Sequence, residues 1–540
     1  MVEIFAEVAG RSGDKPLIDF EGRLYSYRET LDGARRVAAG LAAMGYGEGD
    51  RIGLFLPNVP HYVAAYYGIL MLGATAVNFS PLYTVKELSE QVADSGTRAL
   101  FTLSATALLP KALEVLDASG LERLIVGSVA GALPPAKSML YRLFKRRDVT
   151  ARPHDKRISA FSALIANDGQ FAAPTLDPHE VALIQYTGGT TGTPKGAMLT
   201  HANLAANARQ VVSIDAHRDA PDRIIGALPL FHVFANTCVL NRTVVNGGCM
   251  VLLPRFDAGQ VLAAIDRTKA TSLPGVPTMY RALLDHPKLA QTDFSSLRVC
   301  VSGGAPLAAE LQQRFMDATG ARVVEGYGLS ESSGVLSTNP YEGEQRPGTI
   351  GQPLPGTTLR LVDKEDPSRD APTGEPGEIV ATGPQIMRGY WNRPDADVDV
   401  FLDDADGTRW LRTGDVGVID PDGFVRIVDR IKDMIAVSGF KVFPSQVEAV
   451  LYHHPAVKEA LVIGIPDPYR GEHPRAFVAL EQGAEVDSDA LRDWLNPQLG
   501  KHERVDRVVI RDALPKTLIG KLSRKDLISQ LAAEAADTAG

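Results

Sequence analysis

The amino-acid sequence predicts an α/β protein, with a large N-terminal domain whose sheets lie between layers of helices and a small α+β C-terminal domain. At 540 residues the chain exceeds what a single hydrophobic core usually organises. Apolar stretches with helical spacing alternate with short β-rich stretches, which is typical of layered α/β folds. A new mixed pattern begins after a charged junction at 429–433, and its roughly 110 residues suffice for a separate domain.

The local elements follow, in chain order, from the spacing of apolar residues. Residues 26–45 are predicted as an amphipathic helix, 51–55 as a strand and 61–72 as a helix. The longest apolar run, 62–79, contains three tyrosines and two glycines, so we expect a buried helix and strand there and not a membrane span. The short apolar run 181–186 is predicted as a strand.

The last third of the chain is predicted as a loop, a hairpin and then the small domain. Residues 364–378 are rich in proline, glycine and charge, which is typical of a loop. Residues 417–429 place a Pro-Asp-Gly turn between two alternating runs, which predicts a β-hairpin. Beyond the junction we predict strands at 460–465, 475–480 and 506–511 and a helix at 487–495.

Composition and charge favour a globular protein of a reducing compartment. Hydrophobic residues make up 45% of the chain and charged residues 22%, which is too apolar for disorder. The net charge of −9 argues against nucleic acid as the main partner. Cys238, Cys249 and Cys300 form no CxxC pair and no zinc spacing, which excludes a disulfide scaffold. Without a signal-peptide pattern or a peroxisomal tail, we expect a cytoplasmic protein.

The strongest chemical signal is a Gly/Thr-rich loop after the strand 181–186. Its sequence is Tyr186-Thr-Gly-Gly-Thr-Thr-Gly-Thr-Pro-Lys195-Gly196. The glycines let the backbone approach a ligand closely, and the threonine hydroxyls and the lysine can meet phosphate oxygens. It is not a Walker loop, because Lys195 follows Pro194 and no Ser or Thr comes next. The alternative, a flexible surface loop, does not explain so many phosphate-binding groups in one turn.

Further segments, in the same order, resemble the adenylate-forming superfamily of acyl-CoA synthetases, aryl-CoA ligases, firefly luciferase and peptide-synthetase adenylation domains. The segments are LPLFH (228–232), SGGAP (302–306), EGYGLSE (325–331), GPQIMRGYW (383–391), WLRTGD (410–415), DRIKDMI (429–435), SGF (438–440) and LPKTLIGK (514–521). Within that superfamily the chain resembles bacterial medium- and long-chain fatty-acid:CoA ligases. The resemblance implies an N-terminal domain at 1–429, a hinge at 430–432 and a mobile C-terminal domain at 433–540.

The resemblance also implies how ATP is held. The implied residues are Thr187, Gly188, Gly189, Thr190, Thr191, Gly192 and Lys195 for the phosphates, Gly304, Ala305, Glu325, Gly326, Tyr327 and Ser330 for adenine, and Asp415 and Arg430 for ribose. Thr190 and Glu331 are implied near Mg²⁺, although a carboxylate at a helix N-terminus is favourable without a metal. Tyr327 offers a flat ring for stacking, and a buried core tyrosine is compatible with that role.

Lys521 is implied as the catalytic lysine that bridges the substrate carboxylate and the α-phosphate. Such a cation is needed because a carboxylate that attacks a phosphate ester brings two anions together; the alternative is a solvated surface lysine. His232 is implied as a gate at the carboxylate end of the acyl pocket, or else as a satisfied core histidine. Lys432 is implied as the hinge residue, and Ser438 and Gly439 as the contacts of CoA in the second step.

The presumed acyl pocket contains no charged residue, which predicts a substrate with an apolar tail. Its members are Phe234, Asn236, Val276, Thr278, Ser302 and Gly303. Peptide-synthetase domains carry Asp where this chain has His232, which argues against an amino-acid substrate. Gly303 and Gly304 lack side-chain bulk and predict room for a long chain or an aromatic ring. Each buried methylene contributes about 0.8 kcal/mol, so longer chains should outcompete acetate.

The sequence therefore predicts an ATP- and Mg²⁺-dependent ligase that converts a medium- or long-chain carboxylate, or an aryl-alkyl one, into its CoA thioester through an acyl-adenylate. An acyl-AMP ligase that loads a carrier protein and an aryl-CoA ligase are the alternatives; the chain shows no evident insertion before the hinge, which acyl-AMP ligases usually carry. A luciferase-like oxygenase is not excluded by these motifs. A non-catalytic nucleotide-binding regulator is disfavoured because Lys521 and Glu331 are both present. A homodimer is left open.

A basic amphipathic segment at 137–147 predicts a second property. It contains five basic residues and no acidic one, and Met139, Leu140, Leu143 and Phe144 lie on one helical face. Such a helix is suited to anionic lipid at the inner face of the membrane, from which it would collect fatty acids. The alternative is a solvated helix docked on its own domain.

Overall fold

The structure is a computed structural model and describes residues 1–187, 194–438, 440–517 and 522–539. The chain forms two compact units, Met1–Thr358 with Thr382–Asp399 and Leu359–Ala381 with Val400–Gly540. The domain limits implied by the resemblance, with a hinge at 430–432, stay a prediction.

The helices are α1 Val2–Ser12, α2 Tyr27–Ala43, α3 Pro60–Met71, α4 Val85–Ser95, α5 Leu109–Ala118, α6 Val129–Ala132, α7 Pro135–Phe144, α8 Phe161–Leu164, α9 His201–Ser213, α10 Val233–Ala235, α11 Arg242–Asn246, α12 Ala258–Thr268, α13 Pro277–Leu284, α14 Ala309–Thr319, α15 Pro394–Val400, α16 Pro444–Leu451, α17 Ser488–Leu495 and α18 Arg524–Ala539. A short π-helix, Asn236–Asn241, joins α10 to α11.

The strands are β1 Pro16–Phe20, β2 Arg23–Ser26, β3 Arg51–Leu54, β4 Thr75–Asn78, β5 Ala99–Leu103, β6 Arg123–Gly127, β7 Ile158–Ala160, β8 Val181–Tyr186, β9 Gly196–Thr200, β10 Arg223–Gly226, β11 Cys249–Leu252, β12 Ser272–Gly275, β13 Val299–Ser302, β14 Arg322–Tyr327, β15 Ser337–Thr338, β16 Gln352–Pro353, β17 Thr358–Val362, β18 Gly377–Thr382, β19 Gly389–Tyr390, β20 Phe401–Asp403, β21 Arg409–Ile419, β22 Val425–Arg430, β23 Ile435–Val437, β24 Phe440–Val442, β25 Val457–Asp467, β26 Gly471–Leu480 and β27 Val508–Ile510.

The first unit is built on two large sheets covered by helices, which confirms the predicted α/β class. One has the strand order β16-β15-β14-β13-β12-β10-β11-β1-β2, the other β19-β9-β8-β4-β3-β5-β6-β7. Their inner strands run parallel and are buried along nearly their whole length, as expected for strands that helices cover on both faces. The parallel order brings the carboxyl ends of β3, β4, β5, β6 and β8 to one edge of the second sheet.

The predicted helices of the first unit begin at sequence signals that cap them. In α2 the hydroxyl of Ser26 accepts from the Glu29 amide while the Glu29 carboxylate accepts from the Ser26 amide. Helix α3 begins at Pro60, and its tyrosines are fully buried, so the predicted core helix at 61–72 is confirmed. Among the described residues no helix is long and apolar enough to cross a membrane. The three cysteines are free and buried.

The second unit contains two smaller sheets. One has the order β17-β18-β21-β20, with β22 paired to β21 in the hairpin predicted at 417–429. The other has the order β24-β23-β26-β25, with β27 parallel to β26. The predicted strands and helix beyond the junction are confirmed as β25, β26, β27 and α17, and a core that includes Val447, Val462, Val478 and Leu491 joins sheet to helices.

Candidate functional site

The two ends of the predicted phosphate loop lie at the edge of the second sheet. Strands β8 and β9 pair antiparallel with Tyr186 opposite Gly196, and the Thr187 amide donates to the Lys195 carbonyl at 2.9 Å. A Cβ atom at Gly196 would lie 2.7 Å from Ile184 Cγ2, so only glycine fits there. The predicted phosphate residues Gly188, Gly189, Thr190, Thr191 and Gly192 lie outside the described residues. The structure thus brings Thr187 and Lys195 together and holds the loop closed at its base.

A single tyrosine connects Lys195 with Glu331, the residue predicted near Mg²⁺. The hydroxyl of Tyr390 donates to Glu331 Oε1 at 2.6 Å, and Lys195 Nζ lies 5.2 Å from the centre of the Tyr390 ring. Tyr390 is fixed because β19 pairs with β9 and because its amide donates to Asp397 at 2.7 Å. Lys195 and Glu331 therefore lie on two sides of one buried ring at the mouth of the phosphate loop.

The Tyr390 phenol is held in its neutral, donating form. Burial raises its pKa far above the ordinary value, and the adjacent charge of Glu331 acts in the same direction. The Met387 amide also donates to the Glu331 carbonyl at 2.8 Å, so both the backbone and the side chain of Glu331 are positioned by the segment 387–390. The resemblance includes this segment within 383–391, but Tyr390 is not among the residues predicted from it.

The donor set around Glu331 fits Mg²⁺. This cation prefers oxygen ligands and is usually held by one or two carboxylates together with substrate phosphates and water. Glu331 supplies such a carboxylate beside the loop predicted to hold the phosphates. Among the described residues there is no group of three or more His, Cys, Asp or Glu side chains that would form a self-contained metal site.

A second residue that the sequence analysis missed, Asp94, ties the start of the loop to the segment that carries Tyr390. Its carboxylate accepts from the Tyr186 hydroxyl at 2.6 Å and from Arg393 at 2.7 Å. Its backbone carbonyl accepts from the indole of Trp391 at 3.1 Å. Asp94 lies in the last turn of α4, so the end of this helix contacts both Tyr186, before the loop, and the segment that carries Trp391 and Arg393.

The two segments predicted for adenine lie on neighbouring parallel strands. Ser302 at the end of β13 is opposite Glu325 on β14, so Gly304-Ala305 and Gly326-Tyr327 leave the same sheet edge. Gly304 is exposed with φ +76°, a conformation that favours glycine. Tyr327 is half-buried, and its carbonyl accepts from the Leu336 amide at 2.7 Å. This juxtaposition supports the predicted adenine slot, which with Ser330 remains a prediction.

Glu325 is a buried carboxyl in this slot. Its side chain accepts a hydrogen bond from the Leu307 backbone, but burial dominates and raises its pKa to about 8. At neutral pH the group is therefore mostly protonated.

Two of the predicted acyl-pocket residues, Gly303 and Phe234, lie against each other. A Cβ atom at Gly303 would lie 3.0 Å from Cζ of Phe234, so the room expected beside Gly303 is occupied by that ring. Sequence spacing does not reveal this, because the contact joins distant elements. The Ser302 hydroxyl is fully buried and has no hydrogen-bond partner among the described residues. Val276 is buried just before α13, and Thr278 lies half-buried in its first turn.

Asn236 and His232 have structural partners in this region. The Asn236 side chain is fully buried, and its Oδ1 accepts from Tyr66 at 3.3 Å and from Asn241 at 2.9 Å. Nδ1 of His232, which is half-buried, accepts from the Phe234 amide at 3.3 Å and so caps α10. Their assignment to the acyl pocket and its gate remains a prediction.

The predicted ribose residues pair with each other in the second unit. Asp415 on β21 is opposite Arg430 on β22, and Arg430 Nε lies 2.9 Å from Asp415 Oδ1. Asp415 is 2% exposed, and its buried carboxylate is paired with this cation. The pair is arranged so that Arg430 orients the carboxylate predicted to accept the ribose hydroxyls.

The predicted hinge residue Lys432 is exposed within a short 3₁₀ turn, Ile431–Asp433. The next residue, Asp433, is bound at 3.0 Å by Arg524, which also pairs with Glu448 at 2.7 Å. Asp433 is therefore anchored through Arg524 to helices α18 and α16. Ser438 has φ +51°, and its amide donates to the Arg470 carbonyl at 2.8 Å. Gly439 and Lys521 lie outside the described residues.

Replacing Tyr390 with phenylalanine should raise the Mg²⁺ concentration needed for half-maximal ATP–pyrophosphate exchange by about tenfold. The change removes only the hydroxyl that holds Glu331, and a hydrogen bond to a charged group contributes about 1.5–3 kcal/mol. Equilibrium binding of ATP, measured with and without Mg²⁺, gives a second readout. The matched control is Tyr25→Phe, whose hydroxyl bonds the Ala132 carbonyl elsewhere. An unchanged Mg²⁺ requirement with reduced exchange at saturating Mg²⁺ would show a structural role only.

Two family models match the chain. The model for the AMP-binding enzyme matches residues 5–391, and the model for the AMP-binding enzyme C-terminal domain matches residues 446–521. A long-chain-fatty-acid–CoA ligase of Bacillus subtilis is 39% identical, and the alignment covers 98% of this chain and 94% of that protein.

Solved structures show the same similarity. ATP-bound MatB from Rhodopseudomonas palustris superposes with a TM-score of 0.86 at 30% identity and 98% coverage of both chains. The anthranilate CoA ligase AuaEII in complex with anthranoyl-AMP superposes with a TM-score of 0.84 at 28% identity, covering 99% of this chain and 98% of that one.

Proposed function

This chain belongs to the AMP-binding enzyme family, and from that membership we propose that it is an AMP-forming acyl-CoA ligase. A carboxylate and ATP give an acyl-adenylate and pyrophosphate, and the thiol of CoA then displaces AMP to give the thioester. The observation that carries the proposal is the placement of Lys195 and Glu331 on one buried ring at the closed base of the phosphate loop. A cation and a carboxylate so placed suit a nucleotide phosphate with its Mg²⁺.

In the first step the protein has to bring two anions together. Lys195 and the loop from Thr187 bind the phosphates, and Glu331, oriented by Tyr390, receives the cation that accompanies ATP. When bound, Mg²⁺ held at Glu331 would supply charge neutralisation at the phosphate oxygens. Lys521 bridges the carboxylate and the α-phosphate, where charge grows during attack. Glu325, protonated at neutral pH, adds no negative charge beside the nucleotide.

In the second step a thiol has to reach the carbonyl carbon of the same acyl group that Lys521 bridged to the α-phosphate in the first step. One rigid pocket serves both steps poorly, so we propose that the C-terminal domain turns about Lys432 and presents Ser438 and Gly439 to CoA. The anchoring of Asp433 by Arg524 supports this hinge, because it makes the residue after Lys432 part of the moving body. The side chain of Lys432 is exposed, so a rotation at this position does not have to repack a buried side chain.

The substrate we propose is a medium- or long-chain monocarboxylate. The predicted pocket residues carry no charge, and the Bacillus subtilis relative is a long-chain-fatty-acid–CoA ligase. An aryl-CoA ligase is the second candidate. It is favoured by the similarity to an anthranilate CoA ligase. We further propose a cytoplasmic enzyme with peripheral membrane contact; a homodimer stays an untested prediction.

A panel of carboxylates tests the proposal, with AMP release measured in the presence and absence of CoA. Decanoate or hexadecanoate should show a kcat/KM at least about 10²-fold above acetate, because each added methylene buries apolar surface. Benzoate and phenylalkanoates distinguish the second candidate. Highest kcat/KM for acetate or for an amino acid would contradict the proposed substrate class. AMP release that does not depend on CoA, with no CoA thioester formed, would indicate an acyl-AMP ligase instead.

A further inference from the structure

Helix α7 turns its apolar face away from the protein. Met139, Leu140, Leu143 and Phe144 are 61%, 50%, 53% and 78% exposed, and α7 buries none of its residues. Of the ten strongly exposed large apolar side chains in the described part of the chain, five lie between 139 and 149. Single exposed apolar residues are ordinary, whereas a cluster of this kind marks a binding surface.

The orientation of α7 is inverted relative to an ordinary surface helix. At 3.6 residues per turn the four apolar residues span an arc of about 140°. The half-buried residues Ser138 and Tyr141 lie on the opposite side, toward the protein. An amphipathic helix normally packs its apolar face on the core. Here the polar face rests on the protein, so a docked, solvated helix does not account for the exposed side.

The position of α7 is fixed by polar contacts that leave this face open. Lys137 Nζ binds the Glu21 carboxylate at 2.8 Å, and the preceding helix α6 is held through bonds from Arg23 to the Gly131 carbonyl and from Tyr25 to the Ala132 carbonyl. The helix is therefore presented by the β1–β2 hairpin and does not depend on burial of its own apolar side chains.

Cations flank the apolar arc. On the helical projection Lys137 lies just beyond Phe144 on one side, and Arg142 lies before Met139 on the other. Among the described residues Arg142, Arg146 and Arg147 form no ion pair, and all three are exposed. The segment 137–157 contains eight Lys or Arg and two Asp, in a chain of net charge −9. This segment is therefore locally basic within an acidic chain.

We infer that α7, together with Lys145, Arg146 and Arg147, docks the protein onto an anionic lipid bilayer. Apolar side chains at the centre with long cationic side chains at the edges match the interface between acyl chains and anionic headgroups. A second copy of this chain fits poorly, because a symmetric contact would place the same unpaired arginines against each other. The inference rests on the proposed function in one respect only: the α7 surface would serve to collect a lipid-soluble substrate for the ligase.

The fold places this surface on the side of the sheet where the phosphate loop begins. Strand β6, which leads into α6 and α7, runs parallel to β8, and their carboxyl ends lie at the same edge. Four strand spacings separate them in the order β8-β4-β3-β5-β6, or about 19 Å. A bilayer held by α7 would thus lie on the side of the sheet where carboxylate and ATP meet.

Flotation with phosphatidylglycerol-containing vesicles and with pure phosphatidylcholine vesicles tests the inference. We expect binding to the anionic vesicles that 0.5 M salt abolishes, since the Debye length is then about 4 Å. Combined Arg142→Gln, Arg146→Gln and Arg147→Gln should weaken it about a hundredfold, because each of the three cations near the surface contributes about a factor of five. Combined Leu143→Gln and Phe144→Gln should also weaken it. The control is Leu82→Gln with Val398→Gln, two exposed apolar residues elsewhere.

The outcomes separate this inference from the proposed function. All variants should keep the wild-type kcat/KM for octanoate in solution, and only the α7 variants should lose activity on hexadecanoate supplied in anionic vesicles. Equal binding to neutral and anionic vesicles, no binding to either, or binding unchanged in the α7 variants would overturn the lipid surface while leaving the ligase intact. Normal vesicle binding by a protein that forms no CoA thioester would overturn the proposed function alone.

Discussion

Replacing Lys521 with alanine is expected to lower acyl-adenylate formation by about 10²–10³-fold. This is the scale for losing one preorganised group that stabilises charge in the transition state. Conversion of pre-made acyl-adenylate and CoA into thioester should stay nearly unchanged, because the hinge mechanism turns Lys521 away from the site in that step. The two half-reactions are measured separately, by single-turnover pyrophosphate release and by single-turnover AMP release.

The control for this experiment is Lys516→Ala in the same segment. Lys516 pairs with Glu459 at 2.5 Å, so its loss removes an equal charge without removing the proposed catalytic group. We expect both half-reactions of the control variant to remain within about twofold of wild type, because ion pairs at this exposure contribute little. Equal impairment of both half-reactions by Lys521→Ala would contradict the two-face mechanism.

Replacing Glu325 with glutamine is expected to stabilise the first unit by about 3 kcal/mol at pH 7 and by almost nothing at pH 4. Burial raises the pKa of Glu325 to about 8 in the folded protein, from 4.5. Between these values the unfolded chain loses the proton and the folded chain keeps it, so stability falls as pH rises through this window. At pH 7 the difference corresponds to about 2.5 pKa units at 1.36 kcal/mol each.

Denaturant unfolding of both proteins at several pH values measures this effect. Glu310→Gln, an exposed change of the same charge on α14, serves as the control and should shift stability by less than about 0.5 kcal/mol at every pH. A Glu325→Gln effect of the same size at pH 4 and pH 8 would contradict the assignment of a protonated, buried carboxyl to the adenine slot.

Much of the fold was predictable from the sequence because its signals are local. Strand β8 stops at a Gly/Thr cluster, the hairpin β21–β22 carries its turn signal, and the C-terminal strands alternate as strands do. The two adenine segments could be paired only through the resemblance, and the register of Ser302 opposite Glu325 now gives that pairing a physical basis.

Residues that act across long separations could not be predicted in this way. Tyr390 bonds to Glu331, which lies 59 residues away in the sequence. Trp391 bonds to the Asp94 carbonyl, which lies 297 residues away. Only strand pairing and packing create these contacts, although the match of segment 383–391 drew attention to the region. For the same reason the sequence predicted room at Gly303 but not that the ring of Phe234 lies against this glycine. Periodicity likewise revealed the apolar face of α7 but not that it points outward.

The central claim, that this protein activates a carboxylate as its adenylate before thioester formation, is tested most directly with a carboxylate labelled with ¹⁸O at both oxygens. Attack of that carboxylate on the α-phosphate leaves one of its oxygens on AMP when CoA displaces the nucleotide. We expect mass spectrometry to find AMP carrying one ¹⁸O for each acyl-CoA formed. Unlabelled AMP, or label that appears in inorganic phosphate beside ADP, would contradict the account.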